Sequence, residues 1–120
     1  MREAVARLSA EQQALVARCL TAIVEGPYVD DDDEFGTVMG VSRQQAGETL
    51  AAWPNAAGHG MSFVAVNNAL NNLLGYPHGL WHKLVREIAA SESEVAHALM
   101  AWRDEDHRAG GGKGYFDAFI

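Results

Sequence analysis

The chain has 120 residues, of which 48% are hydrophobic and 21% are charged, so we expect one packed core rather than general disorder. Nine basic against 16 acidic residues give a net charge of −7, which disfavours a general binder of nucleic acids or anionic membranes. Five of the acidic residues form the run 30–34, and the rest of the chain has nine basic and eleven acidic residues. The acidity is therefore a local block on a nearly neutral body.

The first predicted helix begins after Ser9, whose hydroxyl can accept a hydrogen bond from the backbone while Gln12 completes a capping box. Apolar residues then recur at helical spacing. Cys19 lies near the middle of that apolar face, where a thiol is an inert small hydrophobe. The pair Gly26-Pro27 ends the helix, because glycine accepts a left-handed cap and proline cannot continue the hydrogen-bond ladder.

The acidic run lies where a second, short helix should begin, because the positive end of a helix dipole favours carboxylates. That helix ends at Gly40, and Ser42 with Gln45 forms a second capping box at the beginning of a third helix. The third helix closes at Trp53, because the residue before Pro54 is driven out of the α region.

The second half of the chain carries three further helical patterns. A fourth helix ends at Gly75, a fifth begins near Pro77, and Ser91 or Ser93 caps a sixth. Alternation of β-branched residues is nowhere sustained, so no strand is predicted. The sequence therefore predicts an all-α fold, a compact single-domain bundle of about six short helices over residues 1–109.

The three tryptophans are expected to anchor the core of this bundle. Trp53, Trp81 and Trp102 each occupy an inward position of their helix, and we expect all three to be largely buried.

The segment 35–53 has the spacing of a helix-turn-helix, with Gly40 ending the first helix and Val41 as the buried turn residue. Three polar residues at the exposed beginning of the second helix could contact base edges or phosphates: Arg43, Gln44 and Gln45. The acidic run directly precedes this motif and would repel a phosphate backbone. A structural helical corner is therefore the preferred interpretation, and a DNA-binding transcriptional regulator is the alternative.

The pair His78 and His82 raises the question of a metal site. Their separation by four residues would place both on one face of a helix, in a geometry that can chelate zinc. No glutamate lies between them to act as the general base of a zinc protease, and two more ligands would be needed. We interpret both as surface histidines and predict no metal and no cofactor, with a metal-dependent enzyme centred on this pair as a second alternative.

Four asparagines lie close together in the fourth helix: Asn67, Asn68, Asn71 and Asn72. Asparagine is a mediocre helix former, so the cluster needs a physical reason. Helical spacing places Asn67 and Asn71 beside the core stripe and points Asn68 and Asn72 away from it. We favour hydrogen bonds to the backbone of a neighbouring loop over a polar recognition face for a partner, and both interpretations stay open.

Residues 110–120 form a second region, in which a Gly-rich linker precedes four large side chains: Tyr115, Phe116, Phe119 and Ile120. We expect these side chains to pack on an apolar groove. Within one chain, their burial would barely offset the entropy lost by the ordered glycines. The sequence therefore favours a clasp across a dimer interface.

The blocks LTAIVEGP, EFGTVMGVSR, LAAWP and NNALNNLLGYPHG resemble those of a small, uncharacterised bacterial all-helical family with no assigned activity. The resemblance covers about residues 9–103. It implies a helical fold and carries no functional residue over to this chain.

The functional prediction is a non-enzymatic protein that acts through protein–protein contacts. The sequence has no phosphate-binding loop after a strand, no nucleophile elbow and no set of cysteines for a metal cluster. Residues 1–13 lack the apolar segment of a secretory signal, and no apolar run approaches a membrane span. We therefore expect a cytoplasmic bacterial protein, without membrane contact, that self-associates or binds a protein partner.

Overall fold

The computed structural model describes residues 2–55, 60–76 and 78–104, and within these ranges it contains helices and no strand. Seven helices are present there: α1 (Arg2–Ala6), α2 (Ala10–Glu25), α3 (Asp32–Met39), α4 (Arg43–Ala52), α5 (Gly60–Gly75), α6 (Trp81–Ile88) and α7 (Glu92–Arg103). The predicted all-α fold is confirmed, and α1 is one helix more than the sequence indicated. In the described ranges, no helix has both the length and the apolar character needed to cross a membrane.

The core is built around α5, which packs against α2, α3, α4 and α7. Helix α2 lies beside it and also contacts α4, α6 and α7. The largest fully buried side chains come from α2, α3, α5, α6, α7 and the turn after α2: Trp102, Tyr28, Phe35, Leu20, Ile23, Met39, Leu70, Leu73, Leu84, Ile88, Leu99 and Val16. The apolar faces predicted from helical spacing therefore meet in one shared core.

Three helices begin with a capping box. In α2 the Ser9 hydroxyl accepts a hydrogen bond from the backbone N–H of Gln12 at 3.0 Å, and α4 has the same arrangement around Ser42. In α7 the cap is Ser91, which pairs with Glu94, and this settles the choice that the sequence left open. Each box satisfies backbone N–H groups that have no partner inside the helix.

Arginine side chains from elsewhere in the chain hold the carboxyl-terminal ends of three helices. Arg7 donates to two carbonyl groups in the last turn of α7, at 2.9 and 2.5 Å. Arg18 donates to the last residue of α6 at 2.6 Å, and Arg43 donates to the last turn of α2 at 2.8 Å. These carbonyls lack helical partners and carry the negative end of the helix dipole, so a guanidinium satisfies both their charge and their hydrogen bonding.

The end of α2 differs from its prediction in one respect. Gly26 has φ −91° and ψ 177°, which is extended rather than left-handed. A Cβ at this position would lie 2.6 Å from the Ala22 carbonyl and 2.7 Å from the Tyr28 ring. Glycine is therefore needed there for space, because the buried Tyr28 folds back over the helix end.

The tryptophans are not equally buried. Trp102 is fully buried, whereas Trp53 and Trp81 are half-buried, so the expectation of large burial holds completely for one of the three. Trp53 lies at the end of α4, where its indole nitrogen donates to the Gln13 carbonyl at 2.9 Å and its ring lies 5.7 Å from that of Trp102. Its position is fixed by polar and ring contacts rather than by full burial.

Cys19 is fully enclosed on the core side of α2, and this burial raises the pKa of its thiol to about 12. Because the thiolate is the reactive form, we expect no reaction with a thiol reagent near neutral pH while the protein is folded. Denaturant should expose one reactive thiol per chain. The absorbance of Ellman's reagent measures this directly, and rapid labelling of the folded protein would contradict the assigned register of α2.

Candidate functional site

The helix-turn-helix-like corner lies between α3 and α4. Gly40 ends α3 with a left-handed φ of 70°, Val41 is buried, and Ser42 caps α4. A Cβ on Gly40 would lie 3.4 Å from both Val64 and Asn68, so α5 closes directly against the turn. The corner therefore has the predicted local geometry, and α5 supports it from one side.

The guanidinium of Arg43 is surrounded by the protein itself. Nη1 donates to the Val24 carbonyl at 2.8 Å, Nη2 to the Val29 carbonyl at 2.7 Å, and Nε to the Asp32 carboxylate at 2.8 Å. Its central carbon lies 4.3 Å from the centroid of the Phe35 ring. Arg43, with 26% of its side chain exposed, therefore joins the end of α2 to the turn before α3 and to α3 itself.

The other two candidate nucleic-acid contacts differ from one another. Gln45 accepts the Ser42 backbone N–H at 2.8 Å and so belongs to the capping box of α4. Gln44 is exposed, and its amide lies 3.4 Å from the Glu48 carboxylate. Of the three predicted contacts, two hold the fold together, and the exposed one lies beside a negative charge.

The two histidines do not share a helix. The predicted helix start near residue 77 is wrong, because α6 begins at Trp81, which leaves His78 in the preceding turn and His82 exposed in the first helical turn. The Nδ1 atom of His78 accepts the Leu80 N–H at 2.9 Å, so Nε2 carries the proton that it donates to the Leu73 carbonyl at 3.0 Å. Both ring nitrogens of His78 are therefore occupied by the backbone.

Two aromatic rings pack against the half-buried His78. Tyr28 meets it edge to face with ring centroids 5.2 Å apart, and the Trp81 ring lies at 5.6 Å. Burial, together with the 2.6 Å hydrogen bond to Glu87, raises the pKa of Tyr28 above its usual value. In the described part of the chain, no group of three or more histidine, cysteine or acidic side chains is arranged to hold a metal.

The asparagine cluster binds α5 to α3. Asn68 donates to the Met39 carbonyl at 2.7 Å, and Asn72 donates to the Val38 carbonyl at 3.0 Å. The predicted orientation is wrong for Asn72, which is buried, because the free carbonyls at the end of α3 need donors from a neighbouring helix. Two of the four amides thus bind backbone carbonyls of a neighbouring element, as we favoured, although that element is the last turn of α3 and not a loop.

The other two asparagines have different surroundings. Asn67 accepts the Arg103 Nε at 2.6 Å and thereby connects α5 to the end of α7. Asn71 is partly exposed, and none of the described residues forms a hydrogen bond with its amide. A recognition role therefore stays open for Asn71.

Met61 and Val64 form an exposed apolar surface on α5, which we term the α5 patch. Their exposed fractions are 48% and 36%, and no other large hydrophobic side chain in the described ranges is as exposed. Residues three apart share one side of a helix, and Asn68 and Asn71 continue the same line at spacings of four and three. Because α5 contains no charged residue, the patch is neutral in an otherwise acidic protein.

Sequence reasoning missed the α5 patch, although a signal for it was present. Helical spacing puts Phe63, Val66 and Leu70 on the core stripe of this helix and leaves Met61 and Val64 off it. Two apolar residues off the core stripe, at positions 61 and 64, indicate a second apolar face. Whether another element covers such a face depends on the tertiary packing.

The end of α7 lies against the first half of α5. The Trp102 indole nitrogen donates to the Phe63 carbonyl at 3.2 Å, and the two rings stack with centroids 5.2 Å apart. Asp104 caps α7 in a left-handed conformation. The predicted interface side chains that follow lie outside the described residues, and their packing stays a prediction: Tyr115, Phe116, Phe119 and Ile120.

A cleft of about 500 Å³ lies between α2 and the connection from α6 to α7. Its lining mixes charges of both signs, with Glu11 and Glu94 beside Arg18. Hydrogen bonds from Ser91 hold the pKa of Glu94 below its usual value. This mixture favours no single ligand charge, and we assign no ligand to the cleft.

Comparison of the chain with models of protein families, with curated proteins and with solved structures finds no match.

Proposed function

We propose that this protein acts through protein–protein contacts rather than by catalysis, and that the α5 patch binds a second copy of the chain. The observation that carries the proposal is the exposure of Met61 and Val64 on one side of α5. Exposed apolar side chains that lie together are a common feature of interaction surfaces. On this proposal the protein is a homodimer in the bacterial cytoplasm.

The charge distribution favours a second copy as the partner. Two chains that each carry a net charge of −7 repel one another, so they should meet where the local charge is lowest. Helix α5 has no acidic or basic residue over Gly60–Gly75. An isologous contact would then pair α5 with α5 about a two-fold axis, and each Val64 would be buried by the partner's α5 helix.

Introduced charge on the α5 patch tests this proposal. The double variant Met61→Glu with Val64→Glu would place four carboxylates in the contact, so we expect a monomer at every concentration. The wild-type mass should rise from monomer towards dimer across micromolar concentrations in sedimentation equilibrium. The matched control, Ala10→Glu with Ala51→Glu, changes exposed alanines on α2 and α4 by the same charge and should associate like the wild type.

Two results would contradict the proposal. One is equal self-association of the patch variant and the control variant. The other is a wild-type chain that stays monomeric at high concentration. Circular dichroism of each variant verifies that loss of association does not reflect loss of folding.

The DNA-binding alternative is supported by the geometry of the corner between α3 and α4. Two observations count against it. The Arg43 guanidinium already donates hydrogen bonds to Val24, Val29 and Asp32. The exposed Gln44 lies beside the Glu48 carboxylate, which would repel a phosphate. An electrophoretic shift assay distinguishes the two functions, because a complex with DNA must weaken steeply as salt is raised. The metal-dependent enzyme has no comparable support, since the backbone occupies both nitrogens of His78.

A further inference from the structure

We propose that Asn71 fixes the geometry of the α5–α5 contact by pairing with the partner's Asn71, which holds the two helices parallel and in register. This inference rests on the proposed function of the α5 patch and names the contacts that the second copy makes beside it. The position of Asn71 on the helix, the surroundings of its amide and the order of side chains along α5 support it.

Asn71 lies in line with Val64 on the exposed side of α5. Seven residues make almost two turns, so the two side chains project in nearly the same direction, about 10 Å apart along the axis. Val64 is 36% exposed and Asn71 is half-buried, whereas the buried residues between them face the core: Ala65, Val66, Ala69 and Leu70. A helix that packs along the α5 patch would therefore meet Asn71 two turns further on.

The amide of Asn71 differs from the other three amides of the asparagine cluster. Asn68 and Asn72 donate to carbonyls at the end of α3. Asn67 accepts a hydrogen bond from Arg103. None of the described residues forms a hydrogen bond with the Asn71 amide, so it can bind a group outside them.

A buried amide is selective about the side chain that faces it. Against an apolar neighbour it loses its hydrogen bonds to water and gains none in return. Two facing amides satisfy each other, because each offers both a donor and an acceptor. A pair of asparagines in an apolar seam therefore sets the register of two helices, as it does in coiled coils.

The order of side chains along α5 distinguishes the possible orientations of the two helices. About a two-fold axis parallel to the helices, each residue faces its own copy, so Val64 meets the partner's Val64 and the two Asn71 amides meet. In an antiparallel pair of the same overlap, Val64 would face the partner's Asn71 and leave its amide unsatisfied. An antiparallel pair that crosses at the α5 patch alone would leave Asn71 outside the contact. The parallel pair is the arrangement of these three that uses the whole exposed line.

The acidic run 30–34 sets a limit on this arrangement. A hydrogen bond to Glu34 raises the pKa of Tyr76, so the run lies beside the carboxyl-terminal end of α5. A parallel pair brings both runs to this end of the contact, where they repel one another. Tests of association therefore need physiological salt, at which the repulsion is screened beyond about 8 Å.

Disulfide trapping in the full chain tests the parallel pairing. Cys19 is the only cysteine of the sequence and is fully buried, so it does not compete. In the Asn71→Cys variant the two introduced thiols would face each other, and we expect mild oxidation to link most of the protein as a dimer at micromolar concentration. Adding Met61→Glu and Val64→Glu to this variant should abolish the link. The matched control Ala51→Cys, exposed on α4, should stay unlinked.

A mixture of two variants reports the antiparallel alternatives. When Val64→Cys and Asn71→Cys chains are mixed and oxidised, the parallel pair predicts disulfides that join position 64 to 64 and position 71 to 71, as identified by mass spectrometry. A main product that joins position 64 to position 71 would establish the antiparallel pair of the same overlap. Links at position 64 alone would place Asn71 outside the contact. Either result overturns the inference.

The asparagine pair itself is tested by a change of charge at constant shape. Asn71→Asp would set two carboxylates face to face, so the dissociation constant of the dimer should rise at least about tenfold at neutral pH. Asn55→Asp is the matched control, because it adds the same charge at an exposed position after α4 and should have little effect. Sedimentation equilibrium measures both dissociation constants, and equal values would contradict the pairing.

The two proposals can fail separately. Self-association that is lost in Met61→Glu with Val64→Glu, but is indifferent to Asn71→Asp and yields no link at position 71, would refute the asparagine pair and keep the proposed function. A link between the two positions 71 that persists when the α5 patch carries glutamates would refute the patch and keep the asparagine pair. A wild-type chain that stays monomeric would refute both.

Discussion

Replacement of Trp102 by alanine is expected to lower the free energy of unfolding by about 3–5 kcal/mol. Trp102 is fully buried, and its ring lies between those of Phe63 and Trp53, at 5.2 and 5.7 Å. Its removal leaves a cavity where α4, α5 and α7 meet, and the Phe63 carbonyl loses the hydrogen bond from the indole. Urea denaturation followed by far-ultraviolet circular dichroism measures the loss.

Two companion variants separate the causes of this effect. Trp102→Phe keeps most of the side-chain volume but loses the indole N–H, so its free energy of unfolding should lie between those of the wild type and of Trp102→Ala. Trp81→Ala removes a half-buried ring from α6 and should cost about 1–2 kcal/mol. Equal losses of unfolding free energy in Trp81→Ala and Trp102→Ala would contradict the central position that the structure gives to Trp102.

Arg43→Ala is expected to be the second most damaging change, with a loss of about 2–4 kcal/mol and a melting temperature lower by roughly 10 °C. The carbonyls of Val24 and Val29 would lose a charged donor, and Asp32 would lose its ion pair. The end of α2, the turn before α3 and the beginning of α4 would then lose the hydrogen bonds that join them through this side chain. Differential scanning calorimetry measures the change.

The geometry of the side chain allows a sharper test at this position. Arg43→Lys keeps the charge, but a single ammonium cannot donate in the three directions that the guanidinium serves, so most of the loss should remain. Arg86→Ala is the matched control, because Arg86 is exposed on α6, and its effect should stay within about 0.5 kcal/mol. Unchanged stability of Arg43→Ala together with weaker DNA binding would instead support the transcriptional regulator.

Local chemistry made the beginnings of several helices predictable. The capping boxes at Ser9 and Ser42 were recognised from residues only three positions apart, and the structure contains both. The left-handed Gly40 at the end of α3 is equally local. Because each of these features is completed within one helical turn, the sequence alone contains all of its parts.

Where a local pattern competes with contacts from another element, the prediction failed. The fifth predicted helix began near residue 77, but α6 begins at Trp81, and the ring of His78 packs edge to face on Tyr28, which follows α2. Helix α1 was missed because five residues make too weak a pattern, and it is fixed through the burial of Ala4. Tertiary contacts moved the helix boundary in the first case and supplied the helix in the second.

The sequence by itself determined the all-α class, the helix caps and most of the residues that face the core, because periodicity and capping depend on near neighbours. Only the tertiary structure decided what the polar and surface residues do. Arg43 is of a residue type that often contacts nucleic acids, yet its guanidinium donates to carbonyls 14 and 19 positions earlier in the chain. Met61 and Val64 are apolar like the core residues of α5, yet 48% and 36% of their surface stays exposed, because the described elements cover them only in part. A side chain's partners are set by which distant segments the fold brings together, and that information is not local to any motif.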